Sequence, residues 1–463
     1  MLFSSFTFIF LFLPIVFILN RWFEKRSLWR TRKVWLLTSS LFFYAYWEPK
    51  YLLLLLCSII INWVIGTKLS QIKESRRLLF VLGIFFNIFF IGYYKYSGFF
   101  LENLSSLVGE DWNITNILLP LAISFFTFQQ IGYLVDSYKQ RVHYSLLDYS
   151  LFVTFFPQLI AGPIVQHDDL VPQLQEKFKG SSALRAAGWS LFVIGLAKKI
   201  LIADTLGIWA NYGYNQVSAL STFEAWWISL SYTFQLYFDF SGYSDMAIGL
   251  GLLFGITLPI NFNSPYRSKN IQEFWRRWHI TLGKFFTQYV YFPLGGSKKH
   301  VYRNILIVFL LSGLWHGAGW NFLIWGLLHG ILSIIHRFSS KKKLTLPPFL
   351  SYFGTFLFVH LAWVFFRANS INDALIVLKK LFILDPPSSS FENLPIFLFT
   401  QTYPIIGAVT MLLSIVIIWL APNSMQIKNH LTWDRRNAWF IIILFVTSCL
   451  FLPRVQTFLY FNF

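Results

Sequence analysis

Two histidines carry the chemistry that this sequence could do. His279 lies in FWRRWHITLGKFF and His316 in LSGLWHGAGWNFLIWGLLHG, each directly behind a tryptophan. The surrounding sequence reads as membrane-embedded, where an ionisable group is costly enough to mark a functional site. A neutral imidazole accepts a proton from a hydroxyl near neutral pH, and burial disfavours its charged form. His316 is the stronger candidate, because Gly313 and Gly317 beside it let neighbouring backbone come close. His279 has Arg276, Arg277 and Lys284 nearby, so interfacial anchoring competes there with a part in the chemistry. His329 and His360 fit packing or hydrogen bonding between helices.

Other chemistries find little support. There is no HExxH, and cysteine is absent around the histidines, so no metal site is expected. Cys57 and Cys449 sit far apart in apolar segments and make neither a disulfide framework nor a redox motif. SGYSD lacks the spacing and the strand-to-helix setting of a nucleophile elbow. Asp239 and Asp245 flank SGYS, and capping a helix break suits them better than catalysis.

The elements that must position the histidines are helices in a bilayer. Of 463 residues, 56% are hydrophobic and only 13% charged, more apolar surface than a soluble chain of this length needs. The apolar runs are too long for barrel strands, and backbone polar groups must be satisfied without water. The expected fold is therefore all-α: a polytopic integral membrane protein with about eleven or twelve crossings and further re-entrant or interfacial helices. A net charge of +18 would suggest nucleic acid in a soluble protein. Here the basic residues fall in short loops between apolar runs, as membrane topology requires, so nucleic acid is not expected as a partner.

The basic stretch RWFEKRSLWRTRK predicts a cytoplasmic loop after a retained first span, Phe3 to Asn20. Glu48-Pro49-Lys50 and the acidic stretch from Ser97 to Asn116 belong outside. YSLFVTFFPQLIAGPIVQ, broken by Pro157, Gly162 and Pro163, either dips in and returns or forms a kinked span. The basic, aromatic region from Asn261 to Arg303 is expected on the cytoplasmic side. Arg367 to Gln401 reads as an outer loop, and both termini are expected outside. The chain is read as one membrane-embedded domain, with N-terminal helices over 1–116, a motif-bearing core over 117–337, and C-terminal helices with the FLYFNF tail over 338–463.

The run from QLYFDFSGYSD through FWRRWHITLGKFFTQYVYFPLGG to LSGLWHGAGWNFLIWGLLHG resembles the membrane-bound O-acyltransferase family. More narrowly it is similar to the bacterial alginate O-acetyltransferase branch and its peptidoglycan relatives. FFPQLIAGPIVQ also matches that branch, so the likeness covers most of the chain from about Leu118 onward. The resemblance implies helices ringed around a thin centre with a central tunnel, and acyl transfer from a cytoplasmic thioester to a hydroxyl outside. His316 matches the family's catalytic histidine, and His279 its second polar position.

The donor so implied is acetyl-CoA, a substrate, with no bound cofactor. Arg276 and Arg277 lie where its phosphates would be held, though ordinary positive-inside charge accounts for them equally. The FLYFNF ending places Tyr460 among phenylalanines, which fits an interfacial anchor. Related acyl-transfer systems present such a tyrosine to the acyltransferase centre, so Tyr460 is also a candidate acetyl acceptor. In the implied reaction His316 is the general base, and His279 positions the thioester or stabilises developing charge. A separate periplasmic or extracellular transferase would complete delivery to a polysaccharide such as alginate or peptidoglycan. The rival reading is a proton-coupled transporter or flippase of a polysaccharide export system, with the histidines as a proton relay.

Overall fold

The computed structural model describes residues 1–72, 75–110, 112, 117–160, 162–176, 180–343, 346–383, 404–430, 434–454 and 459, and among these there are helices and connections but no strand. The chain divides into two compact units. The first comprises Met1–Phe192, Ser244–Ile260 and Thr287–Tyr289, and the second Val193–Tyr243, Asn261–Phe286 and Val290–Phe463.

In the first unit, α1 (Leu13–Lys25) and α2 (Trp29–Ala45) are joined by a three-residue turn at the basic stretch. Its charges are met locally: Arg21 and Arg185 pair with Glu24 at 2.8 and 2.9 Å, and Lys33 with Asp148 at 2.6 Å. Pro49 caps the start of α3 (Lys50–Gln71), which is followed by α4 (Arg76–Ile91). The acidic stretch expected as an outer loop is instead helical for half its length, as α5 (Ser97–Val108), reached through a π-helical turn at Gly92–Tyr96. SGFFLENLSSLV contains neither proline nor an internal glycine break after its first turn, so helix simply continues.

Helix α6 (Ile123–Gln140) packs on α3 and α4. Their shared interface holds a buried amide cluster, with Ser58 donating to Gln130 at 2.8 Å and Asn87 to Asn62 at 2.6 Å. Such side-chain bonds join helices where no water is at hand. The proline-broken segment resolves into α7 (Leu146–Thr154) and α8 (Phe156–Leu159), separated at Phe155, and is followed by α9 (His167–Gln175). Its described residues from Tyr149 to Val165 are buried, the condition under which irregular backbone is tolerated at membrane depth. α10 (Ser182–Ala197) begins in this unit and ends in the second.

The second unit holds α11 (Asp204–Tyr214) and most of α12 (Thr222–Leu253). α12 runs unbroken through SGYS, so Asp239 and Asp245 do not cap a helix break. Neither glycine nor serine interrupts it, because a long helix with packed neighbours outweighs the small propensity cost of such residues. Short helices α13 (Ile271–Arg277) and α14 (Ile280–Phe286) follow. Then come α15 (Val301–His316), α16 (Trp320–Lys341) and α17 (Pro348–Arg367). The expected outer loop begins as a helix, α18 (Ile371–Phe382), with Ser370 accepting from the Asp373 amide as its cap. α19 (Pro404–Trp419), α20 (Ser424–His430) and α21 (Arg435–Phe451) complete the described helices.

Among the described residues, four helices are long and apolar enough to cross a membrane: Lys50–Gln71, Arg76–Val108, Trp320–Lys341 and Pro348–Arg367. Val301–His316 and Ile405–Trp419 are apolar but shorter. Large side chains such as Leu53, Phe85, Phe89 and Phe349 are exposed on these spans, as helices facing lipid require.

Candidate active site

His316 is the last residue of α15 and is buried at 2% exposure. The helices α15 and α16 form a tight hairpin because glycine meets glycine. A Cβ on Gly313 would strike the Phe322 carbonyl, and one on Gly326 the Phe309 carbonyl. The chain then turns through an extended Gly317, where an added Cβ would run into the Phe322 ring. This close approach seats the imidazole among rings: Trp315 at 4.9 Å, Phe366 at 5.0 Å and Trp325 at 5.1 Å between centroids, each edge-on. The cage restricts the ring's rotation and excludes water, which strengthens electrostatic interactions inside it.

His279 sits in the turn between α13 and α14 with φ of 45°, a left-handed conformation that costs a non-glycine residue about 1–2 kcal/mol. Two backbone bonds hold it there: Asn263 N–H donates to the Arg277 carbonyl at 2.9 Å, and Ile280 N–H to the Asn261 carbonyl at 3.0 Å. Strain held in place by surrounding structure is common where a side chain must be aimed.

The Asn261 side-chain oxygen faces three groups: the Thr281 amide at 3.3 Å, the Thr281 hydroxyl at 3.0 Å and His279 Nδ1 at 3.1 Å. A backbone amide can only donate, so this oxygen is an acceptor and His279 Nδ1 is its donor. The neutral ring then carries its proton on Nδ1 and presents Nε2 as an acceptor. Phe240 packs edge-on against it at 4.7 Å. The centroids of His279 and His316 lie 6.4 Å apart, with Trp315 touching both.

The remaining candidates are placed differently. Arg277 is held by Glu273 at 2.7 Å, whereas Arg276 is exposed, with no ion pair among the described residues. His360 bridges α17 to α12, with Thr233 at 2.8 Å on Nδ1 and Ser229 at 3.3 Å on Nε2, in agreement with an interhelical role. His329 is fully buried among Trp325, Trp275 and Phe358, with neither nitrogen hydrogen-bonded among the described residues. Tyr460 lies outside the described residues. Asn261 was not singled out from sequence; the signal available was the first of two asparagines in LPINFNSP, set between Ile260 and Phe262. Lys199 was missed too. Its signal was a lysine inside LFVIGLAKKILIAD, and it pairs with Asp204 at 2.6 Å and Asp239 at 2.7 Å.

Residues 139–372 match the model of MBOAT, the membrane-bound O-acyltransferase family. The chain is 43% identical to the peptidoglycan O-acetyltransferase of Helicobacter pylori, over 100% of this chain and 98% of that protein. It is 39% identical to the probable alginate O-acetylase AlgI of Pseudomonas aeruginosa, over 82% of this chain and 75% of that one. A teichoic acid D-alanyltransferase of Bacillus subtilis is 29% identical over 49% of this chain and 61% of its own length. A helical chain with apolar, lipid-facing spans and such relatives is a multi-pass membrane acyltransferase, and it belongs to the membrane-bound O-acyltransferase family.

Proposed function

We propose that this chain takes acetyl from cytoplasmic acetyl-CoA and moves it across the bacterial inner membrane for O-acetylation of an extracytoplasmic polysaccharide, peptidoglycan, alginate or a similar polymer. The observation that carries the reading is the apposition of His279 and His316, buried together within one aromatic cage. The substrate class follows the names of the two acetylating relatives.

In the reaction, the hydroxyl oxygen of the acceptor attacks the thioester carbonyl carbon, and His316 takes the hydroxyl proton. The C–S bond breaks as the ester forms, and the thiolate regains that proton from the imidazolium and leaves as free coenzyme A. With Nδ1–H committed to Asn261, neutral His279 presents an acceptor and no donor, so of the two parts open to it, positioning the thioester donor suits it better than stabilising an oxyanion. Arg276, exposed and without an ion pair among the described residues, is the better placed of the two arginines to meet the phosphates of coenzyme A. Tyr460 is proposed as the first acceptor, passing acetyl to a periplasmic or extracellular transferase, with both termini of the chain outside.

The test supplies labelled acetyl-CoA to the protein in nanodiscs and follows hydroxylamine-labile label on the chain. Label present in wild type and absent in Tyr460→Phe supports the relay. Coenzyme A release with no bound label in either returns Tyr460 to an anchor and leaves direct transfer to the acceptor.

A further inference from the structure

Asp239, one of the two carboxylates of QLYFDFSGYSD, takes part in no step above. It is 1% exposed and lies on α12, in the second unit. One oxygen faces Lys199 Nζ at 2.7 Å, and Lys199 also faces Asp204 at 2.6 Å. Lys199 lies in a π-helical turn, Lys198–Ala203, which widens the helix and directs its lysine inward. Two carboxylates against one ammonium leave a formal negative charge in a buried place, where N–H donors must satisfy it. One such donor is known: the backbone N–H of Leu459 gives a hydrogen bond to the second oxygen of Asp239, at 3.0 Å. Leu459 is itself buried, at 7% exposure, and precedes Tyr460 directly in sequence.

We propose that the Asp204–Lys199–Asp239 cluster is the anchor of the C-terminal segment, with Asp239 the positioning residue that fixes the backbone one residue ahead of Tyr460. The contact is made to backbone, so it holds the chain at the Leu459 amide itself and, on the segment's side, is lost only where that N–H is removed. An ionised acceptor also makes it about twice as strong as a neutral amide bond. The proposal rests on the reading of Tyr460 as acetyl acceptor for its catalytic meaning, but the anchoring is tested independently.

The experiment follows amide hydrogen exchange of the C-terminal peptide in the full chain in nanodiscs, together with acetyl label on that peptide. Asp239→Ala and Leu459→Pro remove the acceptor and the donor of the same bond. Leu459→Pro leaves the ion cluster intact, so it answers even if Asp239→Ala fails to fold. Both are expected to raise exchange of the peptide at least about tenfold and to cut its label to a similar extent. Leu459→Ile, which keeps the N–H, is expected to behave as wild type. Exchange unchanged in Leu459→Pro would overturn the proposal. If wild type carries no label, the relay fails, and exchange alone decides whether Asp239 anchors the segment.

Discussion

Asn261 fixes the tautomer of His279: its side-chain oxygen, already accepting from the Thr281 amide, lies 3.1 Å from Nδ1 and makes that nitrogen the donor. The consequence is a ring whose reactive face is an acceptor, turned toward the same cage as His316. Both the aim and the protonation state of His279 therefore depend on a residue that does not touch substrate.

Replacing Asn261 with Leu should release the His279 ring while leaving it buried. Turnover should fall roughly tenfold to a hundredfold, the usual effect of misplacing a catalytic group. Folding monitored by circular dichroism should be retained. The pH–rate profile checks the cause, because losing the fixed tautomer should move its limbs, whereas a mere loss of packing should not.

His329 should behave in the opposite way to His316. It is buried among rings without a hydrogen bond among the described residues. Replacing a buried, unsatisfied polar group with an apolar one of similar shape is nearly neutral or stabilising. His329→Phe should therefore match or exceed the wild-type melting temperature and retain acetyl transfer. A loss of turnover with normal stability would place His329 in the chemistry.

Gly317→Ala should push the Phe322 ring away and displace the neighbouring His316. Overpacking of this kind costs about 1–3 kcal/mol. Reduced turnover and a lower melting temperature are expected, and Phe322→Ala in the same chain should restore part of both. Absence of rescue would mean that the damage arises elsewhere.

The pair His279 and His316 is legible in the sequence because titratable residues stand out in apolar surroundings, and the glycines beside His316 mark a close helix crossing. The amide behind His279 is not legible, since eighteen residues separate it from its partner and only the turn between α13 and α14 brings them together. The continuity of α12 is hidden for a related reason. SGYS reads locally as a break, and its neighbours in space overrule that reading. Lys199 escaped because, beside Lys198, it looks like part of an interfacial charge pair, and its second carboxylate, Asp239, comes from a distant helix. Helical runs and apolar faces are local properties; clamps and ion clusters are not.

Arg276 and Arg277 should separate by role. Arg276→Ala should raise KM for acetyl-CoA by about two- to fivefold, an exposed-charge effect, with kcat unchanged. The difference should shrink as salt is raised, because exposed charges are screened. Arg277→Ala frees Glu273 and should alter stability more than KM. Equal KM effects that ignore salt would count against a phosphate contact.

The measurement closest to the centre is coenzyme A release from acetyl-CoA by purified wild type and His316→Ala, both shown to be folded, with polysaccharide acceptor and partner transferase present. A general base contributes about a hundredfold to ten-thousandfold, so release should fall by that range in His316→Ala. Release at the wild-type rate in the folded variant would contradict the assignment of His316 as the base.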